Sequence, residues 1–217
     1  RDITSSEKNA NHLRALRGEQ PDNCCRKMVV TARIDNDDAK RFSVGDGDDL
    51  GWLGYFIGGS EFLETLFIDS LPNDTERIEA LIEGIARNKS IRKIGILTNH
   101  LGDARLSKLG DFFRRNENLS GVAFASNNMN IGRERERGIA SLVSQMRHNS
   151  MMNFILYNNT ISNEGFSEIC EALRSQSQID VFDLQGSHIG SNGCVTMGNM
   201  LSNWHAPSLR GLDLSDT

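Results

Sequence analysis

An eleven-residue pattern recurs along this chain and limits its possible folds more than any other feature. In IRKIGILTNHL, Ile91, Ile94 and Ile96 stand at the first place and three and five residues on, with Asn99 eight and Leu101 ten residues on. LSGVAFASNNM repeats the order with Leu119, Val122, Phe124, Asn127 and Met129, and MMNFILYNNTI with Met151, Phe154, Leu156, Asn159 and Ile161. IDVFDLQGSHI keeps Ile179, Phe182, Leu184 and Ile189 but carries Ser187 in the Asn place. Weaker copies begin at Leu63, which keeps Leu66 and Ile68, and at Leu209, which keeps Leu212 and Leu214. The starts at 63, 91, 119, 151, 179 and 209 lie 28, 28, 32, 28 and 30 residues apart. Neither a strand's period of two nor a helix's period of 3.6 accounts for a whole copy. A short strand leaving through an inward-tucked turn does, and self-similarity at this period marks a repeat architecture.

Each copy has a second half with helical spacing. Phe166, Ile169, Ala172 and Leu173, behind Gly165, form the stripe of an amphipathic helix. The matching sets are Ile78, Leu81, Gly84, Ile85; Leu106, Leu109, Phe112, Phe113; Ile139, Leu142, Val143, Met146; and Cys194, Met197, Met200, Leu201. Cys194 on such a stripe and Cys170 beside one predict buried thiols. GRERER, from Gly132, reads as a solvated loop insertion that accounts for the longer step from Leu119. Leu50, Leu53, Phe56 and Ile57 match the helical half one period earlier, with Asp48 or Asp49 available as its cap. Residues 1–27 are polar and without periodicity, which predicts disorder or a cap. Residues 28–62, with short alternating runs at Met28 to Ile34 and Phe42 to Val44, predict an irregular first repeat or cap, and residues 63–217 the regular repeats.

A strand and a helix every 28 or so residues resemble the leucine-rich repeat, whose unit reads L-x-x-L-x-L-x-x-N-x-L. The long period and full second-half helix are similar to the ribonuclease-inhibitor type, which includes ribonuclease inhibitor, the Ran GTPase-activating protein and the repeat regions of NOD-like receptors. The resemblance covers roughly Leu50 to Thr217. It implies an α/β fold: a right-handed solenoid arc with parallel strands on the concave side and helices on the convex side. It also implies that Asn99, Asn127 and Asn159 bond backbone groups of neighbouring turns, a structural task and not a catalytic one.

A net charge of −5 and a pI near 5.6 argue against a nucleic-acid or anionic-membrane binder, which needs a basic surface. No apolar run approaches the roughly 20 residues that span a bilayer. The four cysteines show no C-x-x-C spacing, which predicts reduced thiols in a cytoplasmic protein and leaves a redox role for Cys24 and Cys25 as the lesser alternative; a monomer is expected. The chain begins at Arg1 and stops at LDLSDT, within a repeat, and so reads as a fragment. GDGDDLG suggests calcium but fails the EF-hand pattern, because Leu50 and Ile57 occupy ligand places. No catalytic motif, metal set or cofactor site is present in the sequence. Arg87, Arg114, Arg115, Arg147 and Arg174 fall near successive helix ends, where cations complement the helix dipole.

The expected function lies on the strand face. The outward places four and six after each start include Phe67, Asp69, Leu97, Ile155, Tyr157, Asp183, Gln185 and Asp213, an apolar middle grading into an acidic end. Exposed aromatic and aliphatic groups rimmed by charge suit a protein partner. The expectation is a non-enzymatic protein-binding module. A GTPase-activating protein resembling the Ran activator and an inhibitor of a basic enzyme are the alternatives.

Overall fold

The computed structural model describes residues 7–19, 25–31, 41–44, 50–69, 71, 75–97, 103–125, 129–130, 132–146, 152–204 and 208–217. The chain divides into two compact units, Arg1–Asn99 and His100–Thr217.

The first unit runs α1 (Glu7–Leu16), β1 (Lys27–Thr31), β2 (Arg41–Ser43), α2 (Leu50–Gly59), β3 (Thr65–Asp69), α3 (Thr75–Ile85) and β4 (Lys93–Leu97). Its strands pair in parallel in the order β4-β3-β1-β2. The apolar pegs fall in register, Met28 beside Leu66 beside Ile94 and Val30 beside Ile68 beside Ile96, all 0–1% exposed. Cys25 therefore holds the place that Leu63 and Ile91 hold in later repeats. A repeat starts 38 residues before Leu63, within the segment expected to be disordered or a cap and just ahead of the one expected to be an irregular first repeat or cap. A cysteine at the first place and the long step concealed it. The segment expected to be disordered or a cap contains α1, whose Leu13, Ala15 and Leu16 are buried. Helices α2 and α3 pack with backbone against backbone. A Cβ on Gly84 would fall on the Gly54 backbone, and one on Gly58 would meet the Gly84 carbonyl at 2.5 Å.

The second unit runs α4 (Asp103–Arg115), β5 (Gly121–Ala125), β6 (Met129–Asn130), α5 (Gly132–Gln145), β7 (Asn153–Ile155), β8 (Asn159–Thr160), α6 (Asn163–Leu173), β9 (Val181–Asp183), α7 (Gly190–Asn203) and β10 (Gly211–Asp213). Parallel strands follow the order β10-β9-β7-β5, and β6 pairs with β8 in a second short ladder. Helices pack in chain order, α4 on α5 on α6 on α7. Both layers follow from the sequence, because strand pegs and helix stripes have only each other and the neighbouring repeats to bury against. Phe124, Phe154 and Phe182 form an aromatic ladder through the core, with successive ring centroids 6.2 and 5.8 Å apart.

Three expectations about this unit are corrected. GRERER is not a loop: its residues form the first turns of α5, and Arg135 and Glu136 are buried. Burial pushes the Arg135 pKa down to about 10. Cys194 is exposed, because Gly193, Met197 and Met200 are the buried residues of α7 and the next residue in a helix points about 100° away. Leu212 and Leu214, though at core places, are 39% and 40% exposed, since a peg is covered only between two repeats and the described β10 pairs with β9 alone. Among the described residues no helix is long and apolar enough to cross a membrane.

Candidate protein-binding face

In the second unit the register assembles the outward places into rows. Ala123, Ile155, Asp183 and Asp213 are successive partners across β5, β7, β9 and β10. Ile155 is half-buried and Tyr157, two residues further along the chain, is 38% exposed. Asp183 and Asp213 follow at half-buried and exposed positions, and Gln185 is half-buried. The two aspartates do the same local work. An Asp183 oxygen accepts a hydrogen bond from the Gln185 backbone at 2.8 Å, and an Asp213 oxygen accepts one from Ser215 at 2.9 Å, so each carboxylate closes the turn that ends its strand. The Ser215 hydroxyl and its backbone N–H hold the Asp213 carboxyl below the usual carboxylate range, so it stays charged. Arg210 approaches Asp180 at 3.7 Å from an exposed position. An apolar and aromatic pair thus stands beside a fixed negative charge.

In the first unit the three predicted residues fare differently. The Phe67 ring is half-buried, lies where Gly95 leaves out a side chain, and carries the Lys27 ammonium 5.3 Å from its centroid. Leu97 is half-buried. Asp69 does not face outward: it is 8% exposed, in register between Thr31 and Leu97. Alternation does not tell how far the neighbours cover a residue, and the ladder partner Thr31 is buried as well, at 1% exposure.

Two columns of polar side chains hold the turns. Asn159 is fully buried and donates from Nδ2 to the carbonyls of Phe124 at 3.0 Å and Tyr157 at 3.1 Å. Its backbone N–H donates to Ser187 Oγ at 3.0 Å, and that hydroxyl donates to the Leu156 carbonyl, so Ser187 takes the Asn place of the next repeat with a shorter reach. Asn99 and Asn127 lie outside the described residues. The second column was missed. Ser60, Asn88, Asn116 and Gln176 are 3–5% exposed and stand three residues before the starts at 63, 91, 119 and 179. Asn88 donates to the carbonyls of Ile57 at 2.6 Å and Ser60 at 2.9 Å and accepts from Ser90 and Ile91. Gln176 donates to Val143 at 3.2 Å. The fixed offset from each start was the available signal; the variety of residue types hid it.

A third device sits seven residues after each of the last three starts. Asn158, Gly186 and Asp216 have φ of 52°, 66° and 58°, the left-handed region that these residue types enter at least cost. These turns stack, with Asn158 N–H donating to Gln185 and Gly186 N–H to Ser215.

Apart from Arg87, which is exposed, the remaining sequence candidates are buried, internally paired or outside the described residues. Burial pushes the Cys25 thiol up to about 11 and Cys170 up to about 12, so neither is a ready nucleophile. Arg114 and Arg115 pair with Asp111, and Arg174 with Glu171 at 2.9 Å, while Arg147 and the GDGDD carboxylates at 45–49 lie outside the described residues. No group of metal-ligating side chains occurs among the described residues.

Repeated parallel strand-helix units with an outward row of mixed apolar and acidic character define a class of architecture, and solved structures of that architecture exist. The chain is similar to a Caenorhabditis elegans tropomodulin C-terminal domain, at 14% identity and a TM-score of 0.50, over 73% of this chain and 92% of that one. It is similar to the leiomodin-1 actin-binding site 2 at 14% identity and a TM-score of 0.50, over 91% of this chain and 89% of that one. At that identity the likeness speaks for the fold. No protein-family model matches the chain, and no curated protein matches it in sequence.

Proposed function

We propose that the chain is a non-enzymatic protein-binding module of the leucine-rich-repeat solenoid type, acting in the cytoplasm as a monomer without a cofactor. Its partner docks on the strand face of the second unit. The observation that carries this is the row Ile155, Asp183, Asp213 with Tyr157 beside it: apolar side chains next to two carboxylates that hydrogen bonds hold in place. A complementary partner surface has an aliphatic or aromatic centre flanked by Lys or Arg, with the charges speeding encounter and the apolar pair slowing release. In the first unit, Phe67 and Leu97 make a candidate strand-face contact of their own, without Asp69, which is buried.

Actin is the first partner to test, because one solved domain of this fold is described as an actin-binding site. Co-sedimentation with filaments and anisotropy with labelled monomer are the assays. Binding by the native chain that is lost in the Ile155→Ala, Tyr157→Ala double variant, at an unchanged melting temperature, supports the reading. Binding that persists in the double variant overturns the proposed face. No binding by the native chain overturns the actin assignment.

A further inference from the structure

We infer that the outer face of α2 is a second docking site, built for a short acidic segment with one aromatic or large aliphatic anchor. It is separate from the strand face proposed above. Helix α2, LGWLGYFIGG, contains no charged residue, yet it carries Trp52 and Tyr55 at 60% and 61% exposure. A solvated helix face is ordinarily polar. Trp52, Tyr55 and Phe56 stack along one side of the helix, with centroids 6.2 Å apart for the first pair and 5.7 Å for the last. This aromatic ridge borders a cavity of about 630 Å³ lined by Leu16, Arg17, Tyr55, Phe56, Gly58 and Arg87, all within the first unit. That volume exceeds what one side chain fills and is in the range of small-ligand and peptide pockets.

Charge selects the occupant. The Arg17 guanidinium carbon lies over Phe56, 4.4 Å from the ring centroid, and its Nη1 meets Glu19 at 3.3 Å while the side chain stays 53% exposed. Arg87 is exposed and makes no ion pair among the described residues, whereas Arg26, Arg114, Arg133 and Arg174 each meet a carboxylate. Two arginines over an apolar floor fit carboxylates flanking an apolar anchor.

The test uses the whole chain with Trp204→Phe, which leaves Trp52 as the one reporter of the two tryptophans. Acrylamide should quench Trp52 fluorescence freely; a shielded Trp52 means the face is already covered and overturns the inference. Panning a random heptapeptide phage library should enrich peptides with an apolar anchor between acidic residues. Synthetic copies of these peptides should shift Trp52 fluorescence. Their affinity should fall at least about ten-fold in Arg87→Glu and be lost in Tyr55→Ala, and should survive Ile155→Ala with Tyr157→Ala. Enrichment of neutral or basic peptides, no enrichment, or indifference to Arg87→Glu overturns it. So does a Trp52 response to phosphatidylserine vesicles with none to peptides, which would assign the face to a membrane.

Discussion

Two helix seams in this molecule use glycine to opposite ends. Between α2 and α3, Gly54, Gly58 and Gly84 remove side chains so that backbone meets backbone. Between α5 and α6, Gly165 makes room for a carboxylate. Glu136, 1% exposed, accepts from Ser162 N–H at 2.6 Å and from its hydroxyl at 2.7 Å, while Ser162 caps α6 by accepting from Gly165 N–H at 3.0 Å. Arg133 closes the network, reaching Glu136 at 3.0 Å and Glu168 at 2.7 Å. The first seam is a close backbone contact and the second holds a buried polar bridge. The same residue type thus marks either a close crossing or a filled one, and the neighbour that would meet its Cβ decides which.

The difference can be broken from either side. Gly84→Ala gains about 1 kcal/mol of helix propensity but must displace the Gly54 backbone, and a net loss of about 3 kcal/mol in urea unfolding is expected. Gly165→Ala needs only a side-chain shift and should cost less; equal costs would mean that the two seams are not different in kind. Glu136→Ala removes two hydrogen bonds from Ser162 and one from Arg133, which keeps Glu168 and the Ser162 hydroxyl, for an expected loss of about 2 kcal/mol, whereas Glu136→Gln should recover part of it. Asn159→Ala, which orphans the Phe124 and Tyr157 carbonyls, should cost about 1.5 kcal/mol, and Asn159→Ser less, since Ser187 already does this work one repeat on. Smallest in energy is the thiol contrast. Iodoacetamide at pH 8 should label Cys194 and spare Cys25 and Cys170 until the chain is unfolded. Because the folded thiols hold their protons above the ordinary value of 9.0, their contribution to stability is full below that pH. It is lost as pH rises towards about 11 for Cys25 and about 12 for Cys170, a trend visible in melting curves taken across that window.

Most of the strand-helix alternation was legible because apolar pegs at fixed offsets have one physical use. Leu63, Ile91, Leu119 and Ile179 are all fully buried. What escaped was written in residue types that serve several purposes. Cys25 stands for a leucine at a repeat start, and GRERER hides a buried carboxylate among solvated charges. Asn88 is a backbone clamp that no apolar spacing marks, and Gly84 and Gly165, though they fall in the helical halves, do not tell which neighbour fills their space. The strand-face rows followed from the repeat register, but exposure did not, as Asp69 shows. The aromatic face of α2 was present in the letters Trp52 and Tyr55, and its significance needed the arginines that α1 and the end of α3 bring beside it.

The stacked turns at Asn158, Gly186 and Asp216 have a stereochemical consequence. They are places where the chain follows the preference of the opposite enantiomer. A D-alanine at 186 would send its methyl group away from Asn158, where an L-alanine would strike it. A semisynthetic chain with that one inverted centre should fold as readily as the natural one, and the L-alanine chain should not.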